Sequence, residues 1–221
     1  MLRALTTVFT LAFSTMVHAQ TAPSASDIAL YTGLHLAAHE GRAKDVAALI
    51  AAGANPDARD RRGRTAAHVA AFASHDAVLE ALAKGGADMN ALEHGVYDVV
   101  TIAAVADDPD LVSLAIELGN RPDLITSVYD GTALIAAAHL GHHEVVARLV
   151  QAGAPLDHVN NLGWTAVMEA VVLGDGGPDH IETVRILVRA GADTSIPDRD
   201  GVTPLEHAVA RGYDEIAQLL S

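Results

Sequence analysis

The chain has no cysteine, so no disulfide staples it and no thiolate serves as nucleophile or metal ligand. Aromatic side chains are scarce: after residue 19 there are only Tyr31, Phe72, Tyr97, Tyr129, Trp164 and Tyr213. Basic residues are outnumbered, 14 Lys and Arg against 28 Asp and Glu, giving a formal net charge of −14. That balance argues against a general nucleic-acid binder, because neutralising phosphates needs a basic face. It also disfavours docking on anionic lipid. The sequence contains no Gly-x-Ser-x-Gly, no Gly-Lys-Ser/Thr ending and no His-Glu-x-x-His, and so offers no familiar hydrolase, phosphate-binding or zinc-protease signature. A non-enzymatic chain without a cofactor is the expectation.

Long apolar runs are missing too. The one candidate, Ala4 to Val17, follows Arg3 and precedes Val17-His18-Ala19. At 14 residues it falls short of the roughly 20 that a membrane-spanning helix requires. A positive start, a short apolar core and small residues before Gln20 predict a secretory signal peptide over residues 1–19, cleaved on export to a bacterial periplasm. A retained amphipathic anchor is the alternative. Without Arg3, the only charge in that stretch, 13 − 28 leaves a mature net charge of −15. Residues 20–26 read as a linker, and no membrane insertion is expected after cleavage.

What fills the rest is repetition. Thr32, Thr65, Asp98, Thr132, Thr165 and Thr203 recur at intervals of 33, 33, 34, 33 and 38 residues. Gly53-Ala54, Gly86-Ala87, Gly119-Asn120, Gly153-Ala154 and Gly191-Ala192 keep step with them. Two markers on one period predict stacked copies of a single unit. Thr or Asp suits a helix N-cap, and Pro204 suits the first helical position. A small pair follows in each copy, from Ala37-Ala38 to Ala208-Val209. Gly41, Gly141, Gly174 and Gly212 can end the short helix. A second apolar-periodic run then leads to a polar loop. The unit is helix, turn, helix, projecting loop, in copies over 27–60, 61–93, 94–126, 127–160, 161–198 and 199–221.

Thr32-Gly33-Leu34-His35-Leu36-Ala37-Ala38, Gly141-His142-His143-Glu144-Val145-Val146 and Thr203-Pro204-Leu205-Glu206-His207-Ala208 together resemble the ankyrin-repeat family over residues 27–221. The resemblance implies an all-α solenoid of six repeats that binds another protein through a concave groove and its loop tips. The third copy departs most, starting at Asp98 and carrying Asp107 where a glycine is usual. The stretch from Asn161 through Pro178 is similar to a subgroup of small exported bacterial ankyrin proteins. Some of these are associated with oxidative-stress defence, so an envelope or oxidative-stress enzyme is the implied kind of partner.

On that frame the binding candidates are the residues after each small pair and the aromatics beside each cap. The first set contains His39, Phe72, Val105, His139, Leu140, Val172 and Leu173. The second contains Tyr31, Tyr97, Tyr129 and Trp164, loop positions that are hard to bury and residue types favoured at interfaces. Arg61, Arg62 and Arg64, in the run Arg59-Asp60-Arg61-Arg62-Gly63-Arg64, form a candidate finger for a partner's carboxylates. The rival reading is a metal or small-ligand site. It would use His139, His142 and His143, aided by Asp175, Asp179 or His180 of the Gly174–Asp179 insertion. His35, His68 and His142 are also expected to hold loops and turns.

Overall fold

The computed structural model describes residues 20–221, so the signal-peptide expectation for 1–19 lies outside the described residues. Thirteen helices and no strand are found among them. A single turn, α1 (Ala25–Ile28), precedes six helix pairs. These are α2 (Gly33–His39) with α3 (Ala43–Ala51), α4 (Ala66–Phe72) with α5 (Asp76–Lys84), and α6 (Val99–Val105) with α7 (Pro109–Glu117). They continue with α8 (Ala133–Leu140) and α9 (His143–Gln151), α10 (Ala166–Val172) and α11 (Pro178–Ala190), and α12 (Pro204–Arg211) and α13 (Asp214–Leu219). Each first helix packs on the next first helix and each second helix on the next second helix, making two layers. The small pairs are the seam. Ala37, Ala38, Ala70, Ala71, Ala103, Ala104, Ala137, Ala138, Ala170, Val171 and Ala208 are all buried. Only Val209 is exposed, since no further first helix covers it.

The N-cap pattern is present in most copies. Asp98, Thr132, Thr165 and Thr203 accept hydrogen bonds from Thr101, Ile135, Met168 and Glu206 amides, while exposed Thr32 makes none. The third copy compensates for its missing features with buried polar bonds. Asp98 also accepts from Asn120 Nδ2 at 2.8 Å, and Thr101 Oγ1 donates to Thr126 Oγ1 at 2.6 Å. Residues 20–26, expected as a linker, are partly ordered into the stack: Ser24 caps α1, which begins at Ala25.

The loops share one anchor, the residue five before each cap. Asp60 Oδ1 accepts from the amides of Arg62 and Arg64, Asn160 Oδ1 from Leu162 and Trp164, and Asp198 Oδ1 from Asp200 and Val202. A short side-chain acceptor that folds the chain back on itself explains the Asp and Asn at that place. Histidines then tie neighbours together. His35 Nε2 and His68 Nε2 donate to Arg64 O (2.9 Å) and Tyr97 O (3.1 Å) in the next loop. At the opposite helix end, His75, His142 and His180 donate to His39 O, Ala104 O and His139 O of the preceding pair.

The 38-residue interval lengthens a helix. α11 has 13 residues where the other second helices have 9 or fewer. The turn before it is fastened down: Tyr213 Oη donates to Gly174 O at 3.1 Å, and His180 pairs with Asp175 at 2.9 Å. Gly174 does not take the left-handed conformation. It is required because a Cβ there would lie 2.1 Å from Ala170 O.

One loop is strained. At the residue two before the cap, the second, fifth and sixth copies have Gly63, Gly163 and Gly201 at positive φ, but the third has Val96 at φ 59°. A β-branched side chain is disfavoured there by about 1–2 kcal/mol. Val96→Gly should therefore raise stability by about 1 kcal/mol after allowing for the added freedom of the unfolded chain. An increased urea midpoint at unchanged slope would show it, and a lower midpoint would contradict the strain.

Candidate protein-binding surface

The arginine run does not form the expected finger. Arg64 is 1% exposed. Its Nε lies 2.7 Å from Asp60 Oδ2 and its Nη2 3.0 Å from Asp27 Oδ2, while Nη1 donates to Thr21 O at 3.2 Å. Hydrogen bonds from the Ser24 amide, then from Arg64, hold the Asp27 carboxyl well below the usual range. Tyr31, expected at a loop tip, is buried and donates to Asp60 Oδ2 at 2.9 Å. Burial, followed by that bond, pushes its hydroxyl pKa upward. These residues clamp α1 and the first pair to the second loop, and neither Arg64 nor Tyr31 is available to a partner. Arg59 donates to Gly63 O and Leu92 O, and Arg62 sits 3.5 Å from Asp27. Arg61 remains exposed.

The row after the small pairs is half-buried at His39, Phe72, Val105, His139, Val172 and Leu173, and exposed at Leu140. Phe72 and Tyr97 pack partly against the core. Trp164 is half-buried too. Among the aromatics predicted for the loop tips, Tyr129 alone is exposed.

Apolar exposure gathers elsewhere, on the loops entering the fourth and fifth pairs. Ile125 is 50% exposed, Val128 51%, Tyr129 37%, Val159 45% and Leu162 38%. The two loops are tied side by side: the Asn161 amide donates to Tyr129 O at 2.8 Å, and Asn161 Nδ2 to Val128 O at 3.1 Å. The two apolar loop tips therefore stand side by side. Four of these five residues were not singled out from the sequence. The signal was present at the third residue before each cap, which reads Ala29, Arg62, Gly95, Tyr129, Leu162 and Asp200. Large apolar side chains stand there in two adjacent copies only.

A polar feature lies on the first-helix layer between α8 and α10. Glu169 occupies the place that is Leu36, Val69, Ile102 and Ala136 in the preceding copies and is only 3% exposed. Its Oε1 accepts from Asn160 Nδ2 at 2.8 Å. Its Oε2 has no hydrogen-bond partner, and His139 Nδ1 lies 3.4 Å away. Burial raises the Glu169 pKa to about 7 against the opposing Asn160 bond. Burial, then the nearby His180, lowers that of His139.

The three histidines of the rival metal reading point to different partners. His142 bonds Ala104 O, His143 faces Asp179 at 3.6 Å, and His139 faces Glu169. Among the described residues no group of three or more His, Cys, Asp or Glu converges on a metal position. Asp175 is engaged by the Gly177 amide and by His180.

A family model described as ankyrin repeats (3 copies) matches residues 12–93 and 100–198. The ankyrin repeat protein YahD of Escherichia coli (strain K12) is 36% identical over 84% of this chain and 92% of its own length. The crystal structure of an ankyrin repeat domain from Acinetobacter baumannii AYE superposes with a TM-score of 0.78 at 38% identity. That match covers 85% of this chain and 95% of the other. The ankyrin repeat domain of Bcl-3, a member of the IkappaB protein family, gives a TM-score of 0.71 at 26% identity. It covers 86% of this chain and 98% of that one. No helix of the described residues is long and apolar enough to cross a membrane.

Two outcomes follow from the buried charges. Arg64→Leu strips Asp60 of its ion-pair partner and leaves Asp27 with Arg62 alone, and should cost about 3 kcal/mol. Hydrogen exchange should show the loss first over α1–α3, and unchanged protection there would refute the clamp. Glu169 binds its proton more tightly folded than unfolded, so stability falls as pH rises from the unfolded value near 4.5 to the folded value near 7. Glu169→Gln keeps the Asn160 bond and removes the ionisation. It should be more stable than the parent by about 3 kcal/mol at pH 8 and equal to it at pH 4. Urea melts at the two pH values would reveal this, and equal stability at pH 8 would contradict it.

Proposed function

Because the chain belongs to the ankyrin-repeat family, we propose that it is a non-enzymatic scaffold that holds a partner protein against the loop tips of its fourth and fifth repeats. The observation that carries this is the patch Ile125, Val128, Tyr129, Val159 and Leu162, exposed on two loops that hydrogen bonds fix in place. Apolar side chains gathered on adjoining loops that are held in place suit the core of an interface. Leu140 and the half-buried residues beside it on the first-helix layer extend the same reading toward the groove.

The finer reading places the work in the periplasm. It is supported by the Arg3-led apolar run and the small residues before Gln20. By resemblance to small exported relatives, an envelope protein or oxidative-stress enzyme is the kind of partner proposed. The absence of cysteine suits an oxidising compartment.

Affinity capture with in-cell crosslinking, comparing the parent with Val128→Ser/Leu162→Ser, tests the reading. Both side chains are exposed, so the variant should melt within about 0.5 kcal/mol of the parent. A partner captured by the parent should be lost at least roughly tenfold by the variant, as removal of central apolar anchors does. Equal capture by both would move the interface away from these loops. Recovery of the chain from the periplasmic fraction beginning at Gln20 would support export, and an intact Met1 in the cytoplasm would refute it.

A further inference from the structure

We propose that Glu169, with His139 over it, is a recognition point for one cationic side chain of the bound partner, a Lys ammonium or an Arg guanidinium. The proposal rests on the protein-binding reading and names the chemistry of the partner.

Three observations converge on it. First, a carboxylate occupies a position that is apolar in four earlier copies of the same helix, although an apolar residue would fill it without burying a charge. Second, the carboxylate is half satisfied. Oε1 is held by Asn160, while Oε2 is buried without a hydrogen-bond partner, an arrangement that native structures seldom retain without a use. Third, no lysine or arginine is on hand to meet it, and burial favours the neutral form of the adjacent His139. Neither α8 nor α10 contains Lys or Arg, and Arg211, on the neighbouring α12, is committed to Val172 O and His207. A strongly acidic chain presenting an unmet carboxylate oxygen complements a basic segment.

Access runs past His139. Its ring lies 3.4 Å from Oε2, and its side chain is 27% exposed in the last turn of α8. Reaching the oxygen requires that ring to turn outward. An incoming N–H donor then makes a charge-assisted hydrogen bond, stronger than a neutral one. The exposed Leu140 beside it would meet an apolar neighbour of the cation. Asn160 links this point to the patch, since its Oδ1 folds the loop carrying Leu162 while its Nδ2 fixes Glu169.

The test uses a phage library of random dodecapeptides selected against the full mature chain. Enriched peptides should carry Arg or Lys next to apolar residues. Each is then compared with its Arg→Gln or Lys→Gln twin on the parent and on Glu169→Gln. The parent should prefer the basic peptide by roughly tenfold or more, and Glu169→Gln should bind both twins alike. A purely structural Glu169–His139 contact would leave the preference unchanged in the variant and overturn the proposal. Enriched peptides without a basic residue would overturn it as well. Peptides that lose affinity with Val128→Ser/Leu162→Ser but ignore Glu169→Gln would overturn this inference and leave the scaffold standing. Failure to enrich any peptide would count against both.

Discussion

The contact between alanine-bearing first helices is the constraint on which the rest depends. Twelve of the thirteen helices have nine residues or fewer, and an isolated helix shorter than about 12–15 residues is marginal in water. None can persist alone, and each is held by its neighbours. Stacking requires close approach, which fixes small residues at the pair and leaves little freedom on the buried side of each first helix. Variation is pushed to the surfaces that stacking does not use: the loop tips, the row after the pair, and the two ends.

The same constraint explains which parts of the molecule were legible in sequence. The cap residue and the small pair marked all six copies, and the Gly-Ala or Gly-Asn pair the first five, because their roles are local. The placements of His35, His68 and His142 followed from the family resemblance of their motifs, since their bonds reach 29 to 38 residues along the chain. Arg64 and Tyr31 were misjudged because their partners are Asp27, on α1, a turn too short to show apolar periodicity, and Asp60. The insertion went mostly into lengthening α11. Pro178 is a good first helical residue, and that signal was in the sequence. Glu169 was visible by aligning the copies column by column, since four apolar residues precede it. What a column could not reveal was the unmet Oε2, which depends on where Asn160 and His139 fall in space.

Stability and binding pull against each other where the surface is most distinctive. Val128, Tyr129 and Leu162 sit in loops whose counterparts carry Arg62, Gly95 and Asp200, so apolar area stays in water that another copy would cover with charge. Glu169 adds to the first-helix layer a buried ionisable group with one unmet oxygen. Both features fall in the fourth and fifth copies, and Asn160 touches both. The first two copies show the opposite allocation: their charges are spent inward, on the clamp of Arg64, Asp27 and Asp60. One end of the stack is thus organised for closure and a region nearer the other for contact.

The most direct measurement is site-specific photo-crosslinking in the native cell, with benzoylphenylalanine placed at Val128 or at Leu162. Glu80, exposed on α5 in the second-helix layer, is the comparison position. The account predicts the same discrete adduct from both loop positions and none from Glu80. Adducts from Glu80 with none from the two loop tips would contradict it.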